Sequence, residues 1–152
     1  MRFPFSKRVP RAVLAGLTVA WVGTAAALEF MTVAEPAVLY DAPSQKAQPL
    51  WIVRPGTPVE AVVVLDQWIK VRDMRGDLAW IEKRSLARQR NVLVRSERAQ
   101  VRAASEDNAV LVFEAEKDVV LELIEPAAPG WVKVRHRDGQ AGFVRVAQVW
   151  GL

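Results

Sequence analysis

The stretch "WIKVRDMRGDLAWI" (Trp68–Ile81) has a second version further along the chain, "WVKVRHRDGQAGFV" (Trp131–Val144). The two align without a gap. Trp68, Lys70, Val71, Arg72 and Gly76 match Trp131, Lys133, Val134, Arg135 and Gly139. The pairs Ile69/Val132, Trp80/Phe143 and Ile81/Val144 keep their character. In "WIKVRD", Ile69 and Val71 alternate with Trp68, Lys70 and Arg72, and a period of two is the mark of a strand with one buried face. A turn with a glycine follows, and then a second apolar run, so each stretch predicts a β-hairpin. The first hairpin carries the triplet Arg75-Gly76-Asp77, which is an adhesion tag when displayed on a loop tip. The second copy has Asp138-Gly139-Gln140 in the same three places. The shared element is the glycine, which reaches positive φ without steric cost. The triplet is therefore read as a turn.

The repetition extends upstream of the hairpins. "AVLYDAPS" (37–44) parallels "AQVRAASE" (99–106), and "LWIVRPGTPVEAVVVL" (50–65) parallels "LVFEAEKDVVLELIEP" (111–126). The extra residues of the second copy fall in "PAAPG" (126–130), a composition suited to a loop. Each copy is about 60 residues of short Val-, Ile-, Leu- and aromatic-rich runs, separated by Pro, Gly, Asp and Asn. No long window after residue 28 shows a helical period. The expected fold is all-β, with two tandem small barrels over residues 28–89 and 90–152. The junction "LARQRNV" (86–92) lacks Gly and Pro, which predicts barrels packed on one another rather than tethered.

These residues resemble the bacterial SH3-like domain family. Its members carry Trp, an aromatic or aliphatic residue, Lys-Val-Arg, a turn with Gly, and then Gly-Trp-Val. Its Gly-Thr-x-Val strand has a counterpart in "VRPGTPVEAV" (53–62), and the closing "VWGL" (149–152) is similar to the end of tandem members. The resemblance covers about residues 30–152 and implies tandem SH3-like barrels. The chain departs from the pattern at Ala79, where the family usually has Gly, and at Phe143, where it has Trp. "LYDA" (39–42) resembles the signature of eukaryotic SH3 domains that bind proline-rich peptides, but the rest of that groove signature is missing. Peptide-groove function is not carried over on it.

Bulk charge points elsewhere at first. The pI of 9.8 suggests a nucleic-acid or membrane binder. However, Arg2, Lys7, Arg8 and Arg11 all precede Glu29, the first acid. The remainder holds 17 basic and 17 acidic side chains, and phosphate recognition needs a basic surplus. No nucleic acid is expected as a partner. "MRFPFSKRVPR" followed by the uncharged "AVLAGLTVAWVGTAAAL" reads as a Sec-type export signal, residues 1–27, cut after Ala27; the alternative is an uncleaved anchor, since 17 residues is the low end for a span. The expected location is the periplasm or the secreted fraction, with no stable membrane anchor after cleavage. The chain has no cysteine, which excludes disulfides, thiolate metal sites and a cysteine nucleophile.

Catalytic chemistry finds little support. His136 is the sole histidine and sits before a hairpin tip, where a solvated ring is expected. One His without Cys does not make a usual zinc site, so neither a metal nor a cofactor is expected. Glu114 and Glu116 read as a solvated strand end rather than a glycosidase pair. The aromatics say more. The alternation puts Trp68 and Trp131 opposite the core-facing aliphatics, and by resemblance they match the Trp that lines the groove of eukaryotic SH3 domains. Tyr40 would complete a ligand shelf in the first copy, whereas the second copy has Arg102 there. The expected function is a non-catalytic periplasmic binding module that recognises a peptide ligand in the cell wall or on a partner protein. The alternative is a structural or regulatory subunit of an envelope protein complex.

Overall fold

The computed structural model describes residues 29–152. The expected signal segment, residues 1–27, lies outside the described residues. Fourteen strands and two short 3₁₀ turns make up the described fold. The first seven strands are β1 (Glu29–Val33), β2 (Ala37–Tyr40), β3 (Pro49–Val53), β4 (Pro58–Val64), β5 (Trp68–Arg72), β6 (Leu78–Glu82) and β7 (Leu86–Ala87). The second seven are β8 (Asn91–Val94), β9 (Arg98–Arg102), β10 (Leu111–Glu116), β11 (Val120–Pro126), β12 (Trp131–Arg135), β13 (Ala141–Arg145) and β14 (Val149–Trp150). Each set forms one antiparallel seven-stranded sheet. The order β3-β2-β6-β5-β4-β1-β7 recurs as β10-β9-β13-β12-β11-β8-β14, strand for strand. The fold is nearly all-β, as the alternation predicted.

Each sheet bends around its own core. Irregular register at Ala61/Val63 in β4 and at Leu123/Glu125 in β11 helps the longest strands to turn. Val33, Leu39, Val59, Ile69, Val71 and Ile81 fill the first core. Val92, Val101, Leu121, Val134, Val144 and Val149 fill the second. Each fully buried aliphatic contributes about 1.5–3 kcal/mol. With no disulfide to help, two small cores carry the fold.

The residues shared by the two hairpins now have physical reasons. Lys70 lies over the Trp80 ring at 5.9 Å, and Lys133 lies over Phe143 at 5.8 Å. Arg72 bonds Glu60 across β5 and β4 at 3.0 Å, and Arg135 bonds Glu122 across β12 and β11 at 3.3 Å. Trp80 and Phe143 are thus interchangeable as faces for a lysine.

The turn reading holds in detail. Gly76 has φ +94° and Gly139 has φ +95°. The Gly76 N–H donates to the Asp73 carbonyl, and the Gly139 N–H to the His136 carbonyl. The Asp73 carboxylate accepts from the N–H groups of Arg75 and Asp77, so the aspartates shape the tip. The Arg75 guanidinium folds back between Asp73 and Asp77, at 3.5 and 3.7 Å.

The barrels are packed together, as expected from a junction without Gly or Pro. Trp150 meets Phe30 edge-to-face, with centroids 5.0 Å apart. The Asn91 side-chain amide donates to the Gly56 carbonyl at 2.9 Å. Arg90 lies over the Phe30 ring and donates to the Gly151 carbonyl. The duplication also reaches further than the sequence comparison: β1 and β8 occupy matching places in the two sheets.

A Cβ added at Gly76 or Gly139 meets nothing within 4 Å, so only backbone strain opposes a side chain there. Gly76→Val and Gly139→Val are each expected to cost about 1–3 kcal/mol in urea denaturation. Arg75→Ala should leave stability within about 0.5 kcal/mol of the parent. Gly142 differs, because its Cβ would stand 2.5 Å from the Arg102 carbonyl oxygen. Gly142→Ala should therefore lower the melting temperature, although the first copy tolerates Ala79 at the matching place.

Candidate functional site

In the first copy, β5 begins with Trp68 and β2 ends with Tyr40. The two rings meet edge-to-face, with centroids 5.5 Å apart and an interplanar angle of 85°. Both residues are partly exposed. The alternation accounts for this: Ile69 and Val71 enter the core, so Trp68 lies on the outer face of β5. The segment Pro43–Lys46, between β2 and β3, forms one wall of a shallow groove, and Trp68, Gln67 and Glu82 form the other. Gln45 donates to the Glu82 carboxylate at 2.8 Å, and Arg84 donates to its other oxygen. The Gln45 and Arg84 hydrogen bonds hold the Glu82 carboxyl below the usual carboxylate range. The ledge is thus aromatic at its centre, with a fixed anionic group at its rim.

The second copy builds the same place differently. The strand partner of Trp68 is Glu82, whereas that of Trp131 is Arg145. The Arg145 guanidinium lies 4.4 Å from the centre of the Trp131 ring. Asp107, from the loop that matches Pro43–Lys46, clamps it through two oxygens, Oδ1 accepting from Nε at 3.1 Å and Oδ2 from Nη2. Trp131 is only 5% exposed as a result. The expectation of a Trp131 shelf is therefore corrected: the ring lies opposite the core, but a cross-strand arginine roofs it. Arg102, which replaces Tyr40, bonds Gln100 and the Ala109 carbonyl instead of meeting the Trp.

Of the three residues singled out in the sequence, Tyr40 and Trp68 come together and Trp131 is closed off. Four that complete the site were missed, namely Gln45, Glu82, Asp107 and Arg145. One signal was available. The residue just after each hairpin reverses charge between the copies, from Glu82 to Arg145.

His136 also departs from expectation. It is half-buried rather than fully solvated, with its ring tilted over Phe113 at 5.9 Å. Its Nδ1 lies 3.0 Å from the Asp138 carboxylate. Glu114 and Glu116 are exposed, with Ala115 buried between them, as a solvated strand face requires. Among the described residues, no group of three His, Cys, Asp or Glu side chains is placed to hold a metal. No described helix is long and apolar enough to cross a membrane.

The fold agrees with comparison to a known family. The family model described as "Bacterial SH3 domain" matches residues 33–87 and again 95–151. The chain belongs to the bacterial SH3 domain family, with two tandem copies. Domains of this family are generally binding modules for cell-wall components and typically lie outside the cytoplasm. Comparison with curated proteins gives no match. Among solved structures, NlpC2 from Trichomonas vaginalis is similar at a TM-score of 0.38 and 10% identity, over 82% of this chain and 48% of that one. NlpC1 from the same organism is similar at 0.38 and 11%, over 84% and 47%. The chain spans about half the length of each.

Arg145→Ala should uncover Trp131 without touching the core. The expected result is faster solvent exchange of the Trp131 indole N–H in NMR, with that of Trp68 unchanged. The pH dependence has a definite sign. The Arg145 hydrogen bond holds Asp107 below its ordinary value of 3.8. A depressed carboxylate keeps its pairing above that value and loses it as pH falls through the folded one. The protection of the Trp131 indole N–H, measured against its intrinsic exchange rate at each pH, should therefore persist at neutral pH and be lost only below 3.8.

Proposed function

We propose that the chain is a non-catalytic binding module of the cell envelope, and that it takes a peptide ligand on the Tyr40–Trp68 ledge of its first copy. The peptide is presented by the cell wall or by a partner protein. One observation carries this reading: two large rings, locked edge-to-face, stand partly exposed beside a groove. Exposed Tyr and Trp give a large contact area at low entropic cost, and they dominate recognition surfaces. The family's general role as a binding domain supports the reading. The leader-like residues 1–27 support an envelope location.

A second reading has its own observation. β3 is an edge strand of its sheet, hydrogen-bonded among the described strands to β2 alone. It carries Ile52, which is 71% exposed, next to Leu50. An open edge with apolar side chains suits strand addition by a partner, which is what a subunit of an envelope complex would need.

The experiment is sedimentation of the purified protein with isolated sacculi at low salt. Co-sedimentation is expected, and Trp68→Ala should weaken it by about tenfold or more. Protein that stays in the supernatant removes the wall version. Crosslinking in cells from position 52 to one stoichiometric protein would favour the subunit reading instead.

A further inference from the structure

Where the barrels meet, a cleft of about 610 Å³ opens between them. That volume falls within the usual range for small-ligand sites, which favour domain interfaces. Its walls come from both copies: Arg54 and Pro55 on one side, and Leu93, Asp118, His136 and Arg137 on the other. The Phe30–Trp150 contact and the Asn91–Gly56 hydrogen bond hold these walls in place, so the cleft is preformed. A ligand entering it does not have to order the barrels first.

The chemistry of the walls is specific. Six arginines of the described chain sit in ion pairs, namely Arg72, Arg75, Arg84, Arg98, Arg135 and Arg145. Arg54 and Arg137, like Arg88, Arg90, Arg95 and Arg102, have no ion pair among the described residues, but of these six only Arg54 and Arg137 line the cleft, and both are exposed there. His136 lines the same cleft, with its Nδ1 3.0 Å from the Asp138 carboxylate. Its Nε2 is the ring's remaining polar atom. Asp118 is the one acid of this wall, and it has φ +66°. The first copy puts Gly56, φ +82°, at the matching turn. Both turns make the same bonds: the N–H of Gly56 donates to the Val33 carbonyl, and that of Asp118 to the Val94 carbonyl. A glycine would sit at Asp118 without strain, and aspartate is one of the few other residues that enter this region readily.

We infer that the inter-barrel cleft is a second binding site, for the free carboxylate end of a short peptide, with Arg54 and Arg137 on the carboxylate and Asp118 on an N–H or ammonium group. Guanidinium groups match a carboxylate in shape and charge. Asp118 disfavours a polyanion, because a phosphate would meet a like charge beside the arginines. Pro55, Leu93 and Val120 also line the cleft, and their surface suits small apolar side chains. This site is separate from the Tyr40–Trp68 ledge and does not depend on it.

The test is an NMR titration of the whole protein with three probes: trialanine, its C-terminal amide and inorganic phosphate. Trialanine should shift the backbone amides of Thr57, Leu93 and Asp118 and leave those around Trp68 in place. The amide form should bind about tenfold more weakly, from loss of a charge-assisted contact. Arg54→Glu with Arg137→Glu should abolish the shifts, while Trp68→Ala should not alter them. Equal responses to acid and amide, phosphate binding as tight as trialanine, or no cleft shifts at all would each overturn the proposal.

Discussion

The side chain of Asn91 is the joint of the molecule. It is buried, and its amide donates to the backbone carbonyl of Gly56 in the other copy. Gly151 packs just beside it: a Cβ there would stand 2.9 Å from the Asn91 carbonyl oxygen and 3.2 Å from Pro58. A sheet of about 60 residues buries a modest core, and this chain has no disulfide to compensate. Docking one sheet on the other covers Phe30 and seats Trp150 against it, which adds apolar burial that neither copy has alone. The orientation of the barrels, and with it the cleft, depends on this contact.

The joint is built from positions where the copies differ. The strand pairings place Phe30 opposite Glu60 and Asn91 opposite Glu122, which makes Phe30 and Asn91 structural counterparts. Leu86 pairs with Val33 and Val149 with Val94, so Ala87 corresponds to Trp150. Two identical copies would place the same group on both sides of the joint. Divergence there supplies the complementary pairs, ring on ring and amide on carbonyl. The aromatic ledge diverges in the same way. One exchange, Glu82 for Arg145, leaves Trp68 open and roofs Trp131, because a guanidinium stacks on an indole face and a carboxylate does not.

Much of the fold was legible because period-two alternation reports directly which strand face is buried. Ile69, Val71, Val132 and Val134 all enter the cores. Gly76 and Gly139 both take the positive φ that their shared place in the hairpin required. The strands β1 and β8 escaped the comparison because "EFMTV" and "NVLV" share little, one side chain of each pair being chosen for the joint. The site was half legible. Alternation put Trp68 and Trp131 on the outer face correctly. It carried no information about a neighbour on the next strand, and Arg145 is such a neighbour.

The sequence by itself determined what is local and repetitive: the hairpins, their turns, the two cores and the tandem order. Each of these follows from residues close along the chain or from the match between copies. Tertiary structure alone decided which aromatic stays open, and that two arginines from different barrels, without ion pairs among the described residues, line one cleft with His136 and Asp118. Those outcomes depend on groups that meet across strands and across the joint, and no period in the sequence encodes such a meeting.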